Sequence, residues 1–211
     1  MGENPLFPCA RNGNCKIFMW FAGHNEFFKA RGTQNYKGQT IEHIVCLNKR
    51  AAIVDEIRPR PDTPDYMGNL PLFYTIAEDD VEMISKYFTK TRDYFGLRNY
   101  KYETIFHIAA RHNSLAALKE LLGRHWFLPY MMRKDHEGNT ALHVAAKRGN
   151  HEMLEWLLSS VTSAFTEIQN DFGFTPEESA IEKARHMEKE LVKIREPEER
   201  GAFEAKIRGV K

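Results

Sequence analysis

The sequence predicts an all-α chain, a solenoid of stacked helix-turn-helix hairpins. Three observations lead there. Residues 137–158, EGNTALHVAAKRGNHEMLEWLL, carry two helical apolar stripes separated by Gly149. The same pattern recurs along the chain at nearly constant spacing. Hydrophobic residues make up 42% and charged residues 28% of the 211 positions, so hairpins that cannot bury their apolar faces alone have enough apolar surface to stack on one another.

Each hairpin reads in turn. NPLFPCARNGNCKIFMWFA at 4–22 opens the array with Phe7, Phe18, Trp20 and Phe21 on its apolar faces. GQTIEHIVCLNKRAAIVDEI at 38–57 places Thr40 before the first helix and His43 within it. GNLPLFYTIAEDDVEMISKYF at 68–88 has Leu70 in the Thr slot. YETIFHIAARHNSLAALKELL at 102–122 returns to Thr104 and His107, and GFTPEESAIEKA at 173–184 opens a sixth copy. The aligned positions Asn4, Thr40, Leu70, Thr104, Thr140 and Thr175 are separated by 36, 30, 34, 36 and 35 residues. Gly13, Asn113 and Gly149 fall between the two helices of their hairpins, where a left-handed backbone is expected.

A period near 33 residues with a T-P-L-H-x-A core resembles the ankyrin repeat family, best in TALHVAA at 140–146 and TIFHIAA at 104–110. The resemblance covers nearly the whole chain. It implies turn-bearing fingers that project between helix pairs, with repeats near 1–34, 35–64, 65–98, 99–134, 135–169 and 170–195. Residues 196–211 follow as a charged C-terminal extension or capping segment. Three departures from the family pattern stand out: Glu42 in an apolar slot, Tyr102 in the place of a finger glycine, and no intact GADVN-like loop.

Two connections are irregular. RPRPDTPD at 58–65 reads as a stiff, extended connector in preference to a proline-rich ligand. HWFLPYMM at 125–132 is apolar for a loop and is expected to pack rather than to stay exposed. The ends differ as well. Glu177 and Glu178 make the last unit polar, with Met187, Leu191 and Ile194 as its remaining apolar stripe, whereas the first unit is apolar and uncapped. That asymmetry predicts that the chain is the C-terminal part of a longer array, or one domain of a larger protein.

Catalytic and metal signatures are missing from the sequence. His43, His107 and His143 occupy one slot in three repeats, as expected of a structural histidine whose ring bonds to a neighbouring finger backbone. No H-E-x-x-H, C-x-x-C, G-x-S-x-G or phosphate-binding glycine loop occurs. Cys9 and Cys46 align with small buried slots, and Cys15 with a more accessible one. Three cysteines make no disulfide framework, which points to the cytoplasm or nucleus. No apolar run is long enough to span a bilayer, and a formal net charge of +1 argues against nucleic acid as a partner. The expectation is a non-enzymatic protein-interaction module without cofactor or metal, itself a monomer. The alternative is a regulatory or substrate-recruiting domain of a larger enzyme, channel or signalling protein.

In the architecture the resemblance implies, finger tips and the exposed side of the first helices line one concave face. The tips read Asn35-Tyr36-Lys37, Asp65-Tyr66-Met67, Asn99-Tyr100-Lys101, Asp135-His136-Glu137 and Asn170-Asp171-Phe172. Tyr36, Tyr66 and Tyr100 recur at one position and are expected to bind a partner, the alternative being rings that pack along the finger row. The partner-contacting set is Tyr36, Lys37, Tyr66, Met67, Tyr100, Lys101, Arg111, His112, His136, Lys147 and Arg148. Leu47, Asn48, Ala77 and Glu78 face the same groove, which runs from neutral through acidic to basic. The expected partner is a peptide or helical segment of another protein, acidic toward the fifth repeat.

Overall fold

A computed structural model describes residues 3–22, 32–53, 63–88, 93–122, 128–160 and 165–193. Among them every regular element is helical and there is no strand. The chain falls into two compact units, Met1–Phe127 and Leu128–Lys211.

In the first unit, α1 (Leu6–Asn12) and α2 (Cys15–Ala22) form the first hairpin. Helix α3 (Ile41–Leu47) is followed by helical residues 51–53. Helices α4 (Pro71–Ala77) and α5 (Val81–Phe88) make the third hairpin. A 3-10 turn at Asp93–Gly96 leads on to α6 (Ile105–His112) and α7 (Leu115–Leu122). The first helices stack in sequence, α1 on α3, α3 on α4 and α4 on α6, while α5 packs on α7 behind them. Ile41, Val45, Leu72, Ile76, Ile105 and Phe106 are buried in that stack, each side chain worth about 1.5–3 kcal/mol. The second unit contains α8 (Leu128–Met131), α9 (Ala141–Arg148), α10 (His151–Ser160) and α11 (Pro176–Lys193), with α9 packed on both α10 and α11.

The hairpins turn where a left-handed residue ends the first helix. Gly13, Asn113 and Gly149 have φ of 70°, 58° and 73°, as the sequence led one to expect. The matching turns of the second and third repeats use Lys49 (φ 54°) and Asp79 (φ 53°). Neither is a residue type that signals the turn as glycine does. Asp79 also accepts the Ala117 N–H at 2.7 Å, tying its turn to the first turn of α7. Residue 184, where a sixth turn would fall, is alanine. With no left-handed residue to stop it, α11 runs straight through as one 18-residue helix. The sixth copy is therefore a single helix over 176–193, not a hairpin.

Capping fixes where the first helices start. Thr40, Thr104 and Thr140 sit in extended conformation before α3, α6 and α9, each in a capping box closed by the histidine three residues on. The Thr40 N–H donates to Nδ1 of His43 at 3.0 Å, and the same bond recurs at Thr104–His107 (3.1 Å) and Thr140–His143 (3.2 Å). Because Nδ1 accepts, Nε2 carries the proton. In His43 it donates to the Asn69 carbonyl at 3.0 Å, and in His143 to the Phe174 carbonyl at 2.9 Å. The repeated histidine thus joins a helix start to the next finger. At the last helix Glu178 takes that slot, its carboxylate accepting the Thr175 N–H at 2.8 Å, and this bond holds its carboxyl below the ordinary value.

Burial pushes the His43 and His143 imidazoles below the usual 6.5, outweighing the backbone bonds that favour the charged form. Unfolding frees both rings to protonate near pH 6.5, so the unfolded state binds more protons below that value. Stability from this source is complete above about pH 6.5 and is lost as the pH falls. Melting temperature is expected to drop by several degrees between about pH 7.5 and pH 5.5, and His43→Gln should flatten the profile. A pH-independent melt would refute the assignment.

One expectation changes, and three others fall partly outside the described residues. Cys46 is buried, but Cys9 is only half-buried, like Cys15, whose thiol donates to the Gly13 carbonyl at 3.4 Å. Of the stretch 125–132, residues 125–127 lie outside the described residues. The rest contains the helical turn α8, with Met131 buried and Met132 exposed. Of the proline-rich connector only 63–65 is described, with the Pro64 carbonyl accepting from Gln34 at 3.1 Å. Leu191 and Ile194 of the proposed terminal stripe fall outside what is described of side chains, while Met187 is half-buried.

One core position is a misfit. Among the described residues the buried Thr75 hydroxyl has no hydrogen-bond partner, where the equivalent positions of the fourth and fifth repeats hold Ala109 and Ala145. An orphaned buried hydroxyl costs about 1–3 kcal/mol. Thr75→Val keeps the shape and removes the orphan, so urea unfolding should show a gain of about 1 kcal/mol. A loss of stability would mean that the hydroxyl is satisfied in solution.

Candidate functional site

The fingers share one device. The first residue of each tip turns inward and accepts two backbone N–H groups, from two and four residues on. Asn35 accepts from Lys37 (2.9 Å) and Gln39 (3.0 Å), Asp65 from Met67 and Asn69 (both 2.8 Å), and Asn99 from Lys101 (2.9 Å) and Glu103 (3.0 Å). Asp135 and Asn170 repeat it in the second unit. Asn35, Asp65, Asn99 and Asn170 are buried, so the exposed tip is two residues wide rather than three.

Neighbouring fingers are hydrogen-bonded through their middle residues. The Tyr66 N–H donates to the Lys37 carbonyl and the Tyr100 N–H to the Met67 carbonyl, both at 3.1 Å. The tyrosine rings follow the same path. Tyr36, Tyr66 and Tyr100 are 70%, 64% and 64% exposed. Yet the Tyr66 ring lies over Gly38 and the Tyr100 ring over Gly68, so close that a Cβ on either glycine would meet ring carbon at 2.4 and 2.6 Å. Two of the three rings therefore pack on the preceding finger and present their outer faces to water. Tyr102 stands where those fingers have glycine, with φ of 60°, half exposed and with Arg98 5.6 Å from its ring centre. A tyrosine held there carries local strain of about 1–3 kcal/mol.

Behind the tips runs a buried polar chain across three fingers. Gln39 donates to the Tyr74 hydroxyl (3.1 Å), which donates to Asp65 (2.6 Å). Asn69 reaches the same Asp65 oxygen at 3.5 Å and accepts from Asn99 at 3.0 Å. Asn99 also donates to Glu103 at 2.7 Å, and Glu103 pairs with Arg111. Burial, helped by Asp65, raises the Tyr74 hydroxyl to about 12. Asp65, Tyr74, Asn99 and Glu103 were missed as functional scaffolding in the sequence. The signal was there in the Asn or Asp that opens all five tips.

Between fingers and first helices of the first unit lies an open depression of about 260 Å³. Met67, Lys101, Arg111 and His112 of the expected partner-contacting set line it, beside Leu47, Ala77, Glu78 and Ile108. Tyr36, Lys37, Tyr66 and Tyr100 do not. Arg111 is held by Glu103, and Glu78 stands 3.7 Å from Lys49, so the acid–base gradient read from the first helices is largely compensated within the fold. In the second unit His136 and Arg148 are exposed. Lys147 is turned to its own finger, 3.1 Å from Asn139 and 3.7 Å from Glu137. Among the described residues no group of acidic, histidine and cysteine side chains could hold a metal. The depression falls below the ~300–1,000 Å³ usual for a small-molecule site.

Residues 106–196 match a family model described as ankyrin repeats, in three copies. That segment carries ankyrin repeats. The finger turn, the Thr-x-x-His cap and the left-handed hairpin turn recur in residues before the matched segment. Over 154 residues the chain is 29% identical to NF-kappa-B inhibitor zeta of Bos taurus, an alignment covering 69% of this chain and 20% of that protein. It thus spans about a fifth of the length of this relative. In fold it is similar to a chain of the complex of Bd0816 predatory endopeptidase from Bdellovibrio bacteriovorus with immunity protein Bd3460. The TM-score is 0.67 at 16% identity, over 88% of this chain and 95% of that one. No described helix is long and apolar enough to cross a membrane.

Proposed function

We infer that this ankyrin array is a non-enzymatic protein-interaction module of a reducing compartment, and that the finger and first-helix face of residues 35–112 holds its partner. One observation supports this above others. The fingers of repeats two to four turn their acids, Asp65 and Glu103, inward and leave tyrosines, Met67 and lysines outside, next to an open depression. Monomeric proteins seldom expose such an aromatic row without use, and tyrosine is enriched among interface anchors. The relative and the neighbour agree with this reading in kind: one is a named inhibitor, the other belongs to a complex between two proteins. The alternative, a regulatory or recruiting domain of a larger enzyme, channel or signalling protein, uses the same face.

The test is positional. A photo-crosslinking residue at Met67 should capture the cellular partner, whereas one at exposed Lys119 on α7 should not. With the partner in hand, Tyr66→Ala should weaken binding by about 2 kcal/mol, with Tyr36→Ala and Tyr100→Ala weakening it less. Tyr66→Ala that binds normally but melts several degrees lower would make the row purely a packing ladder.

A further inference from the structure

The third tip positions of consecutive fingers carry Lys37, Met67 and Lys101, a cation–apolar–cation series. We propose that this series reads an extended partner segment with an acidic residue at each end and an apolar residue midway, spaced acid-x-x-apolar-x-x-acid. This rests on the proposed protein-binding reading of the same face. All three side chains are exposed, and Met67 and Lys101 line the depression. Among the described residues the Lys101 ammonium has no ion-pair partner. Lys37 has only the Tyr36 ring, 5.7 Å from its ammonium. The finger acids that could neutralise these cations, Asp65 and Glu103, are 3% and 2% exposed and committed to the buried chain. The exposed finger surface of repeats two to four is therefore cationic although the whole chain is near neutral.

The spacing follows from geometry. Stacked repeats are separated by about 8–10 Å, the distance between packed helices. A polyproline II segment advances about 3.1 Å per residue with three residues per turn, so residues i, i+3 and i+6 lie on one side at about 9.3 Å intervals. A β-strand would put i and i+3 on opposite faces. Exposed tyrosines beside the series supply the aromatic surface on which polyproline II segments dock. The central apolar side chain enters the depression between Met67, Leu47, Ala77 and Ile108, and the flanking carboxylates meet Lys37 and Lys101.

A library of random dodecapeptides displayed on phage, selected on the full chain, decides it. The expected consensus places acids three residues to either side of an apolar position. Selection on Lys101→Glu should convert the preference at one end from acidic to basic, and selection on Lys37→Glu should do so at the other. The native consensus peptide should bind each variant about tenfold more weakly, while thermal melts stay unchanged. A consensus with sevenfold spacing overturns the extended reading in favour of a helix. A consensus that ignores both charge reversals overturns the reading by Lys37 and Lys101, and displacement of the peptide by oligothymidylate would make nucleic acid the occupant. No enrichment on the native chain would instead remove the binding face itself.

Discussion

Gly68→Ala is expected to destabilise the first unit by about 3 kcal/mol or more. Gly68 has φ of 77°, which already disfavours a side chain. An added Cβ would also lie 2.6 Å from the Tyr100 backbone nitrogen and 2.6 Å from its ring. That nitrogen is fixed by its bond to the Met67 carbonyl, so the next finger cannot retreat without breaking the ladder. Gly173 is the internal control. Its φ is 78°, yet a Cβ there meets nothing within 4 Å. Gly173→Ala should show the backbone cost alone, about 1 kcal/mol. Urea unfolding of both variants separates the two contributions. Equal losses would mean that finger-to-finger contact contributes little to the stack.

Asp65→Ala should cost about 3–4 kcal/mol, out of proportion to one small side chain. It leaves the N–H groups of Met67 and Asn69 and the Tyr74 hydroxyl without their acceptor in a buried site, at about 1–3 kcal/mol for each orphan that water cannot reach. Asp65→Asn should cost only about 1 kcal/mol, because Asn35 and Asn99 already make the same turn in neighbouring fingers. A second readout separates the polar chain from simple unfolding. Ultraviolet titration of Tyr74 should move down from about 12 in folded Asp65→Asn, but only part of the way, since burial is the larger cause of its shift. An unmoved titration would show that Asp65 and Tyr74 are not coupled.

Repetition made the fold readable. A spacing near 33 residues, a Thr-x-x-His pair and a helix-breaking glycine are local signals, and each acts within a few residues of itself. Thr40, Thr104 and Thr140 could be placed before their helices, and His43 and His143 assigned to a neighbouring finger, from recurrence alone. The left-handed turns at Gly13, Asn113 and Gly149 were legible because glycine and asparagine tolerate that backbone. That at Lys49 was not, because lysine carries no preference for that backbone, and that at Asp79 is further held by the bond its carboxylate accepts from Ala117 of the next repeat.

What depended on the tertiary structure was which side of each finger faces water. Sequence placed Asn35-Tyr36-Lys37 and its counterparts at tips, but the first residue of each turns inward, because buried backbone N–H groups must find acceptors. Whether a tyrosine ring at such a tip reaches for a partner or lies on the preceding glycine depends on a residue some 30 positions earlier, as with Tyr66 and Gly38. The pairing of Glu103 with Arg111 and the polar chain from Gln39 to Glu103 likewise join residues whose proximity only stacking creates. By itself the sequence determined the repeat, its helices and the residue types at each finger. Stacking decided which charges cancel and which remain exposed, because burial and pairing are properties of neighbours in space.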